Sequence, residues 1–560
     1  MLDSNKLVIE ELSKSGDITL KYQNIYLHSK YFPKKEAERF VREQYRSASV
    51  QILLGYGAGY IYEELEKNLT EYEKIIVVDP LIQPLKKEKI IYLKKYDEQT
   101  IKEFLNTHLH ITDSINMIIS INYDKIIRES EKFQLFLKTL QEKMNSNQIS
   151  ENTITYFNSQ WNENYLRNLK YAVQDHSIKE LFSNENFPVV IASGGPSLTK
   201  QFNLIKKYRN QIVLVAAGTT INSLLKCNIR PDIVVSVDGG EINFNHFKDL
   251  NIEDFPLVYC PTLHYGIRNK FKNAYYCFLT MEEVLVPHYQ KYTKKTVETL
   301  IGGSSVANTA YNLALFLSNG PVALIGQDLA YTNGQSHAEG NLNRKAVISD
   351  GLLSHEGYYG DSVKTNSVFL QMKEGFELIQ SKMNAQSRTY NCTEGGIKIH
   401  SIQQLPFEKF LREFTKGNVN KNYLYDLTDY EDKYYLYNLT MDREKHNSLI
   451  KLFHEAIKEL DRNTSRTKFD SNVLRNLDQL DKKIKKKLQT SSLNHAFNVV
   501  NLHTLRYFKV KNNTSDEEKY QAAYKQSKYM YTEMLKVTQE SLKIIQELIQ
   551  EVEIDEFSNR

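Results

Sequence analysis

The sequence has few cysteines, one tryptophan and no long apolar run. Its 560 residues include only four cysteines, and their spacing contains neither a CxxC pair nor a zinc-ligand pattern. In so long a chain, that usage favours reduced, structural thiols in the cytoplasm and excludes a disulfide framework. We therefore expect no metal site. The four are Cys227, Cys260, Cys277 and Cys392.

Targeting signals and a concentrated positive charge are missing as well. The N-terminus lacks the basic and apolar regions of a signal peptide. No apolar run approaches the roughly 20 residues that span a membrane. The 72 basic and 68 acidic residues leave a net charge of +4, without the basic stripe of a nucleic-acid binder. These features predict a cytoplasmic protein with no membrane insertion and no nucleic-acid partner.

Length and texture divide the chain into three regions. At roughly 100–200 residues per domain, 560 residues predict about three or four domains. We expect an α/β protein with a Rossmann-like N-terminal domain over residues 1–175. A central Rossmann-like domain with a parallel sheet should cover residues 176–410. Residues 411–560 should form an all-α helical bundle.

The first region carries a glycine-rich turn between two apolar segments. Val50–Leu54 predicts a strand that runs into Gly55–Gly59, followed by a helix and a second strand before Asp79. This order is typical of a first Rossmann unit, in which glycines approach a phosphate and an acid binds ribose. The spacing is GxGxG and not GxGxxG. Two interpretations stay open: a dinucleotide or S-adenosylmethionine site, or glycines that only make the turn.

The central region alternates short apolar runs with helical stretches, which favours a parallel sheet covered on both faces. Ligands of such sheets bind at the carboxyl ends of the strands. The predicted strands are 188–191, 211–216, 232–237, 255–259 and 322–325, with a helix over 305–317.

The turns after these strands are small, polar or glycine-rich. Glycine lets backbone N–H groups approach an anion, and a serine at a helix N-terminus adds a hydroxyl and the helix dipole. Several such turns at one sheet edge predict a nucleotide or nucleotide-sugar site, although each turn could simply cap its helix. The candidate binding residues are Gly194, Gly195, Pro196, Ser197, Gly218, Thr219, Asp238, Gly239, Gly303, Ser304 and Ser305. The candidate catalytic residues are Asp328, Tyr331 and His337.

Two common phosphate and metal motifs are missing. The sequence has no GxxxxGK[ST] motif, so P-loop chemistry is not supported. The central region has no Asp-x-Asp pair, which argues against a metal-dependent sugar transferase. Asp238 and Asp328 follow different strands and are interpreted as partners of sugar or ribose hydroxyls, although together they could also bind a metal.

The third region has helical spacing and no glycine after Gly417. Its apolar residues predict three long helices, near 447–462, 471–508 and 515–552. Ser515 and Glu518 predict a capping box at the start of the last helix. The lysine run of residues 482–487, interrupted by Ile484, is interpreted as a solvated helix face or as a contact for an acidic partner.

The order of the central motifs resembles that of the motility accessory factor family of flagellin glycosyltransferases. The motifs are the segments 191–198, 231–232, 237–239, 302–307, 325–331, 336–340 and 391–396. They also resemble the core of bacterial sialyltransferases, except that Gly194 stands where those enzymes have Asn and His337 lies near where they have Tyr.

The resemblance implies transfer of a nonulosonic acid, of pseudaminic or legionaminic type, from a CMP-sugar to Ser or Thr of flagellin for flagellar assembly. Because CMP is a competent leaving group, no cofactor or metal is required. As a hypothesis, the N–H groups of Gly194, Gly195 and Ser197 hold the nucleotide. Ser304 and Ser305 bind the sugar carboxylate or the phosphate of the donor. Tyr331 then donates to the phosphate, and His337 is the base, with His264 the next candidate.

Two other functions are compatible with these motifs. Related cores resemble a pterin diphosphokinase, which would use ATP and magnesium. A degenerate site would instead leave a non-catalytic flagellin-binding protein. By exclusion, the helical region from about residue 410 is the candidate for docking the acceptor.

Overall fold

The structure is a computed structural model and divides into two compact units. The first unit comprises Met1–Thr153, Ser465–Phe469 and Leu502–Ser527, and the second comprises Ile154–Thr464, Asp470–Asn501 and Lys528–Arg560. The residues described are 8–69, 73–84, 90–110, 113–331, 335, 337–339, 352–424, 434–463, 465, 467–507 and 515–558.

The first unit contains an antiparallel and a parallel sheet. The antiparallel sheet has the order β1-β2-β3 and the parallel sheet the order β6-β5-β4-β7. The strands are β1 (Val8–Leu12), β2 (Ile18–Tyr22), β3 (Ile25–Tyr26), β4 (Val50–Leu54), β5 (Lys74–Val78), β6 (Ile91–Tyr92) and β7 (Ile115–Ile119). The helices of this unit are α1 (Pro33–Gln44), α2 (Tyr60–Asn68), α3 (Glu98–His108) and α4 (Asp124–Glu129). Helix α5 (Glu131–Asn168) begins in this unit, and its residues from Ile154 onward belong to the second.

The predicted Rossmann-like order in this unit is confirmed. Strand β4, the glycine-rich turn, α2 and β5 follow one another, and β4 pairs in parallel with both β5 and β7. All five residues of β4 are buried, because helices cover both faces of the sheet. This is why an unbroken apolar run, and not an alternating one, encodes the strand.

The second unit is built on a nine-stranded sheet in the order β20-β19-β16-β9-β10-β11-β12-β13-β8. Every neighbouring pair in it is parallel. Two small pairs, β14 with β15 and β17 with β18, lie outside it. The strands are β8 (His176–Ser177), β9 (Val189–Ala192), β10 (Val213–Ala217), β11 (Ile233–Ser236), β12 (Leu257–Tyr259), β13 (Ala274–Tyr276), β14 (Phe278–Leu279), β15 (Thr299–Leu300), β16 (Val322–Ile325), β17 (Leu353–Glu356), β18 (Ser362–Thr365), β19 (Thr389–Asn391) and β20 (Gln403–Gln404).

Helices cover both faces of this sheet, as predicted for buried parallel strands. Alternate residues of β9 enter opposite cores: Val190 and Ala192 pack on one face, and Val189 and Ile191 on the other. The helices are α6 (Phe202–Tyr208), α7 (Thr220–Lys226), α8 (Glu241–Phe247), α9 (Tyr265–Arg268), α10 (Val286–Thr293), α11 (Val306–Leu317), α12 (Ser367–Met383) and α13 (Phe407–Phe414). Helix α11 packs across β9, β10 and β11 and so brings its N-terminus to the carboxyl edge.

The C-terminal region is helical, as predicted, with four helices where the sequence predicted three. They are α14 (Tyr435–Asp461), α15 (Ser471–Leu488), α16 (Leu493–Tyr507) and α17 (Asp516–Ser558). The stretch 471–508 breaks after Leu488, where the polar residues Gln489 to Ser492 interrupt the apolar pattern. The predicted capping box is present: Ser515 N–H donates to Glu518 Oε2 at 2.9 Å, and Glu518 N–H donates to Ser515 Oγ at 3.3 Å. Within the described ranges, no helix is both long and apolar enough to cross a bilayer.

A buried polar network joins α14 to α10. Asp442 Oδ2 lies 2.7 Å from His288 Nε2 and accepts a hydrogen bond from Tyr292 Oη at 2.6 Å. One turn later, His446 Nδ1–H donates to the Asp442 carbonyl at 2.7 Å, while its Nε2 is buried with no partner. The neutral imidazole is therefore the form that fits the interior.

This network makes stability sensitive to acid. Burial lowers the pKa of His446 from 6.5 to about 4. Since the folded state binds this proton less readily than the unfolded state, its contribution to stability is present above pH 6.5 and is lost as the pH falls towards 4. We expect the urea midpoint to drop between pH 7 and pH 5. His446→Asn, whose Nδ2–H replaces the imidazole Nδ1–H as a donor but does not titrate, should reduce that drop. An equal or larger drop in the variant would contradict this assignment.

Candidate functional site

The turns that follow the neighbouring strands β9 and β16 are joined by backbone hydrogen bonds. Gly195 N–H donates to Gly326 O at 2.8 Å, and Ser193 N–H donates to Ile325 O at 3.0 Å. A Cβ on Gly195 would lie 2.3 Å from Asp328 Oδ2 and 2.5 Å from Gly326 O. Only glycine fits this position because the turn after β16 occupies the space of a side chain.

The side chain of Asp328 holds the turn after β9 in place. Its side chain is 1% exposed. Its Oδ2 accepts from Ser197 Oγ at 2.6 Å and from Ser197 N–H at 3.2 Å. Pro196 begins the 3₁₀ helix Pro196–Gln201. The expected use of the Gly195 and Ser197 amides for a nucleotide is thus revised, because both already donate within the chain.

The segments containing His337 and Gly395 border the same turn. Ala338 N–H donates to Gly194 O at 2.8 Å. A Cβ on Gly395 would lie 3.4 Å from Ser197 Cβ. Ser336 and Gly340, which belong to the motif around His337, lie outside the described residues. The motifs at 191–198, 325–331 and 391–396 are therefore neighbours in space, as their strands predicted.

His337 lies half-buried above this edge, beside a second histidine that the sequence did not single out. Burial lowers the pKa of His337 below 6.5, and the nearby His246 lowers it further. Its imidazole is therefore neutral at pH 7, which is the protonation state of a general base. His246 lies on α8 and is itself buried. No sequence signal marked it, because a single histidine in a short helix has no pattern.

The turn after β10 connects α8 to the N-terminus of α11. Asn222 Nδ2 donates to the carbonyl oxygens of Thr219 at 3.3 Å and His246 at 3.1 Å. Gly218 has φ +54°, and a Cβ there would lie 3.7 Å from Val306, the first residue of α11. The predicted residues Gly218 and Thr219 therefore lie at the carboxyl edge, next to the start of that helix.

The N-terminus of α11 is capped by one serine, and the two residues before that serine are exposed to solvent. Ser305 is the N-cap: its Oγ accepts from Asn308 N–H at 3.4 Å, and Asn308 Oδ1 accepts from Ser305 N–H at 3.2 Å. Gly303 and Ser304 are exposed. The side chain of Asn308 fills the space beside Gly303, where a Cβ would lie 2.4 Å away. Ser305 therefore caps the helix, whereas Ser304 faces solvent at its positive end.

The turn after β11 is supported by α5. Asn164 Nδ2 donates to Gly239 O at 2.9 Å, and Asn168 Nδ2 donates to Pro261 O at 2.9 Å. Asp238 is exposed, and its Oδ1 accepts from Gly240 N–H at 2.8 Å. These two asparagines of α5 therefore hold backbone carbonyls of the turns after β11 and β12.

The hydroxyl hydrogen of Tyr331 has no acceptor among the residues that the structure describes. Its hydroxyl oxygen accepts from Asn366 Nδ2 at 2.7 Å, and its N–H donates to Lys364 O at 2.9 Å. Its ring packs against Phe369 with centroids 5.4 Å apart. The phenol is therefore fixed in place by an acceptor role, and its proton is available to a ligand.

His264 has no free nitrogen with which to accept a proton. Its Nδ1 accepts from Gly266 N–H at 3.1 Å, so its hydrogen resides on Nε2, which lies 3.0 Å from Glu241 Oε2. The ring stacks on Phe244 at 4.7 Å between centroids. His264 caps α9, and we no longer treat it as a candidate base.

Two buried oxygen atoms at the carboxyl edge have no hydrogen-bond partner in the described part of the chain. Ser193 Oγ belongs to the residue that follows β9, and Gln327 Oε1 lies two residues after β16. Both side chains are 5% exposed. An unpaired buried polar atom costs about 1–3 kcal/mol of stability. A ligand that forms hydrogen bonds with these two oxygens would remove that cost, which favours binding at this position.

Asp232, part of the 231–232 motif, lies at the opposite edge of the sheet. It precedes β11 and accepts from Arg209 Nη1 at 2.8 Å, from Leu214 N–H at 2.7 Å and from Lys421 Nζ at 3.0 Å. These contacts hold the amino ends of β10 and β11. The motif therefore has a structural role in this chain.

The glycine-rich turn of the first unit is filled by side chains of the chain itself. A Cβ on Gly57 would lie 2.3 Å from His28 Nε2, and one on Gly55 would lie 2.5 Å from the Tyr123 ring. Asp79 is 5% exposed and accepts from Tyr123 Oη at 2.7 Å and from Leu81 N–H at 2.8 Å. Of the two interpretations, the structure favours glycines that make a tight turn, because the acid expected to meet ribose is already engaged.

Fold and site together define an α/β protein whose polar turns gather at the carboxyl edge of a parallel sheet. Residues 163–334 match the sequence profile of the 6-hydroxymethylpterin diphosphokinase MptE-like family. The structure of the MAf glycosyltransferase from Magnetospirillum magneticum AMB-1 is similar, with a TM-score of 0.56 and 16% sequence identity. The alignment covers 97% of this chain and 93% of that chain. A sequence search of curated proteins gave no match.

The likeness extends over nearly the whole chain and confirms, for the fold, the resemblance to the motility accessory factor family that the motifs suggested. The match to the MptE-like profile covers the part of the chain that carries the first five of the seven motif segments. Among the residues the structure describes, no group of three or more His, Cys, Asp or Glu side chains is arranged to hold a metal ion.

Proposed function

We propose that this chain is a glycosyltransferase that moves a nonulosonic acid from a CMP-sugar to Ser or Thr hydroxyls of flagellin. The observation that carries the proposal is a series of contacts that links the turns at the carboxyl edge of the sheet. Gly194 meets Ala338, His337 lies near His246, and the turn after β10 meets α11. A fold shared with a MAf glycosyltransferase supports the same activity.

The donor would lie along this edge. Ser193 Oγ and Gln327 Oε1 are polar atoms without a partner among the described residues, at the ends of β9 and β16. The half-buried Thr219 and the exposed Asp238 offer groups for ribose or sugar hydroxyls. Ser304 and the first N–H groups of α11 would hold the carboxylate or the phosphate, where the helix dipole favours an anion. Asp328 acts as a positioning residue because its carboxylate holds Ser197.

Transfer then needs one proton acceptor and one leaving group. The acceptor hydroxyl oxygen attacks the anomeric carbon, the bond from that carbon to the phosphate oxygen breaks, and CMP leaves with the bonding electrons. His337 takes the hydroxyl proton, because burial keeps its imidazole neutral at pH 7. Tyr331 donates its free phenolic hydrogen to the departing phosphate.

Nucleotide binding provides the test. We expect Ser193→Ala to weaken binding of CMP about tenfold or more, since a hydrogen bond to a charged ligand is worth about 1.5–3 kcal/mol. Calorimetric titration of the full-length protein with CMP measures this. Ser492→Ala is the matched control, because its Oγ is also buried without a partner but lies among the C-terminal helices. Equal affinity in both variants, or no CMP binding by the parent chain, would refute the proposal.

The match to the MptE-like profile gives a second candidate function, a pterin diphosphokinase. Such an enzyme would transfer diphosphate from ATP to a hydroxymethyl group and release AMP. Incubation with ATP, magnesium and 6-hydroxymethylpterin separates the candidates. AMP formation would favour the diphosphokinase, whereas CMP binding without AMP formation favours the glycosyltransferase.

The flagellin acceptor would dock on the helical region after residue 410. Helices α14 and α17 present exposed apolar side chains, including Tyr437, Met441 and Ile554. A pull-down of flagellin with a chain ending at residue 433 tests this assignment, provided that CMP binding is retained.

A further inference from the structure

Three lysine side chains meet at the carboxyl end of α15. Lys291 Nζ, from α10, donates to Thr490 O at 2.5 Å. Lys445 Nζ, from α14, donates to the same oxygen at 2.8 Å and to Thr490 Oγ1 at 2.9 Å. Lys487, in the last turn of α15, interacts electrostatically with Lys445. Three helices therefore bring their ammonium groups to one place.

The positive charge of this cluster is not balanced by the chain. Burial, together with the neighbouring charges of Lys291 and Lys487, lowers the pKa of Lys445 from 10.5 to about 8. Asp442 acts in the opposite direction, but its carboxylate bonds to His288 in the interior. In the described residues, no carboxylate forms an ion pair with Lys291, Lys445 or Lys487. The end of α15 supplies only about half a negative charge.

We propose that Lys291, Lys445 and Lys487 form a binding site for a phosphate-type oxyanion, separate from the carboxyl edge of the sheet. All three side chains are half-buried and none is fully enclosed, so a ligand reaches them from solvent. This site is independent of the proposed glycosyl transfer.

The number of free donors fits such a ligand. An ammonium group has three hydrogens; Lys445 uses two of them on Thr490 and Lys291 uses one, so both keep donors for an anion. Phosphate oxygens accept such charge-assisted bonds, and lysine binds phosphate as a point charge. The exposed Lys482, Lys483, Lys485 and Lys486 on the same helix extend the positive field that attracts an anion.

Calorimetric titration of the full-length protein with inorganic phosphate tests the site, at pH 7 and at an ionic strength held constant with chloride. The variant K291Q/K445Q should bind at least tenfold more weakly than the parent chain. The control K482Q/K483Q removes the same charge from the exposed part of α15 and should bind within about twofold of the parent. Equal loss in the two double variants, or no binding by the parent chain, would overturn the proposal.

A second ligand identifies the source of the anion, and a second readout locates it. O-phosphoserine that binds tenfold more tightly than phosphate indicates a phosphate ester carried on a partner, whereas equal affinities indicate free phosphate. Acetylation of Lys445 at pH 8, followed by peptide mass spectrometry, should be slowed by phosphate in the parent chain and in K482Q/K483Q. Acetylation at an unchanged rate would place the anion elsewhere and overturn the site.

Discussion

Replacing His337 with alanine should lower the rate of sugar transfer by about 10²–10⁴-fold, the usual contribution of a general base. The reason is the position of His337 beside the Gly194 turn and its neutral imidazole. Single-turnover transfer from a CMP-sugar, quenched and analysed by mass spectrometry, measures the rate. Affinity for CMP should change little, because the imidazole acts on the acceptor hydroxyl.

The pH profile gives an independent check on His337. Because the pKa of His337 lies below 6.5, the parent rate should be constant above about pH 6.5 and should fall as acid protonates the imidazole. His337→Ala should lose this acid limb. His454→Ala, which changes an exposed histidine of α14, serves as the control and should keep both rate and profile. An undiminished rate in His337→Ala would eliminate its role as the base.

Removing the carboxylate of Asp175 should destabilise the second unit by about 3–5 kcal/mol, because a buried cation is left unpaired. Arg268 is 2% exposed and donates through Nε to Asp175 Oδ2 at 2.7 Å, with a further contact from Nη2 to Oδ1. Tyr259 Oη also donates to this carboxylate, at 2.5 Å. Urea unfolding of Asp175→Ala, followed by circular dichroism, measures the loss.

An exposed ion pair provides the control for Asp175. Lys272 and Glu253 form a bridge of 3.0 Å with side chains that are 61% and 56% exposed, and such pairs contribute about 0–1 kcal/mol. Glu253→Ala should therefore shift the urea midpoint only slightly. If Asp175→Ala shifted the urea midpoint as little as Glu253→Ala does, the prediction would be contradicted, because Arg268 would then have found other partners.

The strands that the sequence predicted in the central region are buried on both faces of the sheet. Strands β10 (Val213–Ala217) and β16 (Val322–Ile325) are apolar throughout because helices cover both sides of the sheet. Strands β8 and β20, at the two edges of the sheet, and β19, next to β20, escaped prediction. They have two or three residues each and include His176, Asn391 and Gln403, which is too short and too polar for a pattern to emerge.

The location of the site could be predicted from the sequence, whereas the roles of its individual residues could be predicted less well. Parallel strands share a carboxyl edge, so the turns after β9, β10, β11 and β16 had to be neighbours. The roles of Gly195 and Ser197 depended on hydrogen bonds between distant segments, such as Ser197 to Asp328, that no local pattern encodes. His246 was missed for the same reason, since only the fold brings it to His337.

The most direct test of the central claim is the intact mass of flagellin after incubation with the full-length protein and a CMP-linked nonulosonic acid. The account predicts that flagellin gains the mass of the sugar and that an equal amount of CMP is released. It also predicts that transfer survives EDTA and is lost in His337→Ala. Flagellin of unchanged mass in the presence of a competent donor, with AMP formed instead from ATP and 6-hydroxymethylpterin, would contradict it.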